Sequence, residues 1–197
     1  MIRRLALCLS VAVSLSIPAW ARAEREEFAY AGLTQAQLSE LYCIVREADD
    51  EWLAGLEEDI YVRDQSKSLR DSFWYKIADG IDLCADKHGW SAAAGEAAGL
   101  FILLFLDFLI EEPDVVDYVG EPATVIRRLW LDLPVADRLK LAGDGQADEA
   151  FRTRLRGKIE ARFDTDKGTT SSVLDMFEAW SRAELAQQTF AKLRGWK

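Results

Sequence analysis

The stretch GLFILLFLDFLIEEPD, residues 99–114, limits what this chain can fold into more than any other. Its unbroken apolar run, Ala97 to Leu106, is 10 residues long, and a membrane-spanning helix needs roughly 20. Lengthening it to that size takes in Glu96 on one side and Asp107 on the other. An acid near the centre of an inserted helix costs about 2.5–3.5 kcal/mol, so the run is expected in a protein core and not in a membrane. Residues 101–106 are apolar on every helical face, which suits a helix enclosed by other helices. Ser91 is placed to cap this central helix, and Pro113 to stop it, because proline removes an N–H and restricts the residue before it. Gly95 and Gly99 have the spacing that lets a second helix approach closely.

The remaining chain repeats the helical period and shows no convincing strand pattern. Thr34 and Gln37 form a capping box ahead of an apolar stripe at Leu38, Leu41, Val45, Ala48 and Trp52. That stripe runs to Ile60 or breaks near Asp49-Asp50. A second helix carries Phe73, Trp74, Ile77, Ile81 and Cys84 and ends near His88-Gly89. Pro122 opens another, with Val125, Ile126, Leu129 and Trp130 on its apolar face, and Pro134 and Gly143 bracket a short one. Phe151, Leu155, Ile159 and Phe163 recur at spacing four, and a last helix is expected after Ser171-Ser172, burying Val173, Met176, Phe177, Trp180 and Ala183. The expectation is an all-α, single-domain bundle of about six or seven helices.

Residues 1–23 have the form of a secretory signal. Arg3 and Arg4 precede an apolar segment from Leu5 to Ile17, Pro18 breaks it, and Ala21-Arg22-Ala23 is a small-x-small cleavage site. The expected mature domain, residues 24–197, then has 21 basic and 34 acidic residues, a net charge of −13. Residues 24–121 hold 23 acids against 7 bases, while residues 122–197 hold 11 acids against 14 bases. Nucleic acid and anionic lipid are poor partners for such a surface. Two cysteines remain after cleavage, Cys43 and Cys84, and an even count in an exported protein favours a disulfide. At 100° per residue Cys43 projects opposite the apolar stripe of its helix, so a cross-link is expected on a polar face.

Candidate site residues are few. Asp107, Glu111, Glu112, Asp114 and Asp117 crowd the negative end of the apolar helix, where the macrodipole and like-charge repulsion disfavour them. They call for a cationic neighbour: Arg127 and Arg128 of the next helix, a divalent cation, or a basic partner surface. Trp90 and Trp196, at helix ends, are candidate exposed anchors. The segment DTDKGTTSSVLD places Asp164, Asp166 and Asp175 at positions 1, 3 and 12 of a loop of EF-hand length, though Gly168 and Thr169 depart from that pattern. The basic cluster Arg152, Arg154, Arg156, Lys158 and Arg162 wraps its helix and is expected to neutralise the acidic half. His88 is the single histidine, which excludes zinc sites of two histidines, and its place suggests a helix C-terminal cap. There is no G-x-S-x-G, Walker loop or G-x-G-x-x-G, and no cofactor is implied. Glu96 and Asp107 lie eleven residues apart, about 16 Å along a helix, too far for a glycosidase pair. The expected role is an exported, periplasmic or secreted protein that binds another envelope protein with a basic surface, as an inhibitor, immunity-type protein or adaptor. A carboxylate-based hydrolase of envelope material and a small-molecule or lipid carrier are the alternatives.

Overall fold

The computed structural model describes residues 33–47, 66–143 and 148–196, with side chains at all of these except 66–76 and 106–111. The signal-sequence reading of residues 1–23, and Ala48, Trp52 and Ile60 of the first stripe, therefore lie outside the described residues. The chain divides at Thr34, and Gln35–Lys197 is one compact unit. Its described helices are α1 (Gln35–Leu41), α2 (Cys43–Glu47), α3 (Ser66–His88), α4 (Ala92–Val119), α5 (Ala123–Leu131), α6 (Val135–Ala142), α7 (Glu149–Phe163) and α8 (Lys167–Leu193). No strand occurs among the described residues, and the protein is all-α.

Helix α4 starts where Ser91 predicts, its hydroxyl accepting from the Ala94 N–H at 3.2 Å. It does not stop at Pro113. The helix runs 28 residues to Val119, about 42 Å, and ends at Gly120, whose left-handed φ of 70° lets its N–H return to the Val116 carbonyl. An interior proline costs about 3 kcal/mol. Here the proline itself is exposed, while Glu112 beside it and Val115 one half-turn on are buried. Burial of one valine is worth roughly 1.5–3 kcal/mol, and Glu112 adds an ion pair to Arg127. Packing on both sides of Pro113 thus overrides the local stop signal.

Helix α8 lies along α4, and the two run antiparallel. Trp90, just before α4, meets Phe190 near the end of α8 edge-on at 5.1 Å. The inner face of α4 carries Ala94, Ala98, Phe101, Ile102 and Phe105, and that of α8 carries Val173, Met176, Phe177, Trp180, Ala183 and Phe190, all buried. Helices α6 and α7 pack on α8, and α3 packs on α4. The expected enclosure of residues 101–106 on all sides is not met: Leu100 beside them is 44% exposed, and Leu103 and Leu104 are half-buried.

Gly95 and Gly99 do mark a close approach. A Cβ at Gly95 would meet Ile81 Cγ2 at 2.7 Å, and one at Gly99 would meet Ile81 Cδ1 at 2.5 Å. Cys43 and Cys84 form the expected disulfide, joining α2 to α3 with Cα atoms 6.0 Å apart. Its surroundings differ from expectation. Leu41, Tyr42, Cys43, Ile44 and Val45 are all buried, so this stretch has no polar side and Cys43 lies in the core. A periodic projection assumes one wet face, and consecutive burial removes it.

A buried polar layer fastens the α5–α6 corner. Arg138 donates through Nε and Nη2 to both Glu184 oxygens (2.8 and 3.2 Å) and through Nη1 to the Leu131 and Leu133 carbonyls. Its guanidinium lies over the Trp130 ring at 4.9 Å, and Trp130 Nε1 donates to Ser181 Oγ at 3.0 Å.

Two predictions follow from this packing. Ile81→Val removes the Cδ1 atom facing Gly99 but keeps the Cγ2 atom facing Gly95. Gly99→Ala is therefore expected to be clearly destabilising in the parent protein and to cost less in an Ile81→Val background, where the contacts left to its Cβ are Ile77 Cγ2 and the Cγ1 of residue 81 at 3.3 Å. Gly95→Ala stays destabilising by about 1–3 kcal/mol in both backgrounds; chemical denaturation of the four variants checks this. Glu184→Leu alone is expected to cost about 3–5 kcal/mol, because it strands a buried guanidinium, and the double change Arg138→Met/Glu184→Leu to recover only part of that loss, because the Leu131 and Leu133 carbonyls lose their Nη1 donor.

Candidate interaction surface

Helix α4 contains six acidic residues and no basic one. Its inner face is fixed by the aromatic and alanine positions, so its outer face follows from the 100° helical period. Glu96 and Leu100 are exposed on it, and Leu103 and Leu104 extend it as half-buried neighbours. The register then carries the same face through positions 107, 111 and 114 to Tyr118, which is 66% exposed. In the last turn Asp117 is exposed, and Glu121 follows the Gly120 cap half-buried. The negative end of the helix macrodipole adds to these carboxylates.

The structure sorts the acids expected here into two groups. Glu112 turns inward, 7% exposed, and accepts from Arg127 Nη2 at 3.3 Å. It is a core strut and not a surface ligand, and Arg127 is its expected counter-ion. Arg128 instead pairs with Asp132 one turn along its own helix. Asp117 remains on the surface and Asp114 is half-buried, while the side chains of Asp107 and Glu111 lie outside the described residues. Tyr118 was not singled out by sequence reasoning. Its signal was available: an aromatic flanked by Asp117 and Glu121, outside the α4 apolar stripe.

Trp90 is not an exposed anchor. It is 8% exposed, its indole N–H donates to Glu40 Oε1 at 2.9 Å, and it packs against His88 and Phe190. Trp196 is half-buried and meets Phe190 edge-on. Position at a helix end implied exposure, but the end of α8 folds over this corner. Arg194 donates to Glu40 Oε1 at 2.6 Å and to the carbonyls of His88 and Gly89. The His88 C-terminus is thus capped by an arginine from the far end of the chain, with the imidazole stacked on Trp90.

Nor is the segment 164–175 a twelve-residue loop. Only residues 164–166 separate α7 from α8. Asp164 closes α7 in a left-handed conformation (φ 52°), Asp166 caps α8 by accepting from the Thr169 N–H at 2.8 Å, and Asp175 is exposed two turns into α8. Among the described residues no group of three or more His, Cys, Asp or Glu is placed to hold a metal ion. Asp166 outcompetes Ser171-Ser172 as the cap, so α8 begins at Lys167, about one and a half turns earlier than expected.

The α7 bases also find nearer partners than the acidic half. Arg152 pairs with Glu178 of α8 at 2.5 Å and Arg156 with Glu149 of its own helix at 2.7 Å. Arg154 and Arg162 lie over the rings of Phe151 and Phe163. Within the acidic half, Lys87 pairs with Glu47 beside the disulfide, and that hydrogen bond holds the Glu47 carboxyl below its usual pKa. The buried carboxylate of Glu184 is fully engaged by Arg138 and Gln188, which suits a structural tie better than proton transfer.

No described helix is long and apolar enough to cross a membrane. No protein-family model matches the chain, and neither a curated protein nor a solved structure shows significant similarity to it.

The Asp166 cap has a pH signature. The Thr169 backbone bond, followed by that residue's hydroxyl, lowers the Asp166 pKa below its ordinary 3.8. A depressed aspartate stabilises the fold above its unfolded value and loses that contribution as pH falls through its folded value. Asp166→Ala is expected to lower the thermal midpoint at pH 7, and the gap from the parent protein to narrow steadily below about pH 4. Thermal melts at stepped pH measure it.

Proposed function

We propose that this is an exported binding protein that holds a basic partner protein against the outer, acidic face of α4, in an inhibitor, immunity-type or adaptor role. The observation that carries the reading is the C-terminal end of that helix: Tyr118 is exposed, Asp117 beside it is exposed, Glu121 follows the cap half-buried, and the helix has no base. Of the α7 arginines expected to neutralise the acidic half, Arg152 and Arg156 pair with Glu178 and Glu149, and Arg154 and Arg162 lie over their own phenylalanines. Export is supported by the disulfide between Cys43 and Cys84, since such bonds persist mainly in oxidising compartments, and by the signal-like form of residues 1–23.

The test is capture from an envelope extract by the disulfide-bonded protein, run beside an Asp117→Asn/Glu121→Gln variant. A basic protein is expected to be retained at about 0.05 M salt, released at about 0.5 M where charges are screened within a few ångströms, and retained several-fold less by the variant. Retention that ignores both salt and variant would overturn the reading.

A further inference from the structure

We infer that α1 and α2 form a releasable strap locked by the buried Cys43–Cys84 disulfide, and that the Arg194–Glu40 pair gates a thiol's access to that bond. The inference does not depend on the binding role proposed above. Cys43 and Cys84 are both 0% exposed, whereas thiol–disulfide exchange requires a thiolate to reach one of the sulfurs. A segment must therefore move before the bond can be reduced. Cys43 lies on the strap itself, so lifting the strap is the shortest route to its sulfur. The strap sits directly on α3 and α4. Gly80, one turn before Cys84, allows this: a Cβ there would meet Ile44 Cγ2 at 2.8 Å. On α4, Phe101 and Phe105 receive the Tyr42 ring edge-on at 5.5 and 5.6 Å.

Three ties hold the strap. The disulfide joins α2 to α3. Lys87 pairs with Glu47 in an exposed position, where solvent leaves such a pair weak. The third tie is at the other end of the strap, and its partners are largely buried. Glu40 Oε1 accepts from Arg194 Nε at 2.6 Å and from Trp90 Nε1 at 2.9 Å, while Arg194 Nη1 and Nη2 donate to the carbonyls of Gly89 and His88. Bonds to a carboxylate from a guanidinium are the stronger kind. Losing Arg194 frees α1 and also uncaps α3, the helix that carries Cys84. The ties that fix α5 and α6 on α4 and α8 include no residue of α1 or α2. Opening the strap is thus a local event, cheaper than unfolding the whole domain.

With the strap lifted, a dithiol reduces the bond in two exchanges. One of its thiolates attacks a cysteine sulfur, the S–S bond breaks, and the other cysteine leaves as a thiolate that takes a proton. The second thiolate of the dithiol displaces the first cysteine, so two electrons pass to the protein and the dithiol becomes a cyclic disulfide.

The test follows reduction of the whole protein by dithiothreitol at a fixed pH, with free thiols trapped by alkylation and counted by mass spectrometry. Arg194→Met is expected to speed reduction about tenfold or more, and Asp166→Ala, at the opposite end of α8, to change it less than about twofold despite a lower thermal midpoint. The parent rate is expected to stay flat at low urea, because local opening exposes little surface. In the reduced protein, amide hydrogen exchange is expected to quicken about tenfold at residues 35–47 and to hold at residues 173–190. An Arg194→Met rate equal to the parent's would overturn the gate. So would rates that rise in both variants in proportion to lost stability, or that climb steeply with urea. Reduced protein in which residues 35–47 stay protected, or in which residues 173–190 lose protection equally, would overturn the strap.

Discussion

The antiparallel seam between α4 and α8 is the contact on which the other helices depend. Two helices this long, faced with alanine, phenylalanine and valine, would lose little by slipping one turn, because apolar contact is non-directional. Directional groups remove that freedom. Arg127 ties α5 to Glu112 of α4, Trp130 ties it to Ser181 of α8, and Arg138 ties α6 to Glu184 of α8. A slip would leave a buried carboxylate or guanidinium unpaired, a loss of about 3–5 kcal/mol at each broken pair. Arg138 also turns its Nη1 to the carbonyls of Leu131 and Leu133, groups that the end of α5 leaves open. One residue therefore sets both the α5–α6 corner and its position on the seam.

The opposite end is closed by a different device. Arg194 reaches across 154 residues of sequence to Glu40, and Trp90 shares that carboxylate. Glu40 belongs to α1, Trp90 to the turn before α4, and Arg194 to the end of α8, so three distant segments meet on one acid. Close by, the buried disulfide ties α2 to α3. In the chain-entropy model a closed loop of this length is worth about 4 kcal/mol.

What the sequence made legible was periodic and local. The stripe at Phe151, Leu155, Ile159 and Phe163 is buried throughout, Ser91 caps α4, and Gly95 and Gly99 mark the approach of α3. The failures share a physical cause: a local signal was outweighed by a distant partner. Pro113 is a helix stop until Glu112 and Val115 find buried positions on either side of it. Trp90 is an exposed helix-end residue until the end of α8 covers it. Cys43 projects to a polar face until its neighbours on every side are buried. Within the candidate surface the acids were legible but their division was not, because only the fold decides that Glu112 turns in toward Arg127 while Asp117 stays out. Tyr118 was missed for the converse reason: its exposure is defined by what fails to cover it.

That division also reshapes the charge argument. Residues 122–197 carry a formal net charge of +3, which suggests a basic surface facing an acidic one. Yet Arg127 and Arg138 are buried with carboxylates, and Arg152 and Arg156 are paired with their own half's acids. The positive charge of this half is spent largely on internal ties and short-range pairs, whereas α4 has no base on any face. Long-range attraction of a basic partner of the proposed kind would therefore come chiefly from the acidic half, and such attraction sets how fast a partner arrives more than which partner stays. Selectivity for a partner of the proposed kind would have to come from shape and apolar contact, and among the described side chains of α4 the exposed ones of that kind are Leu100 and Tyr118.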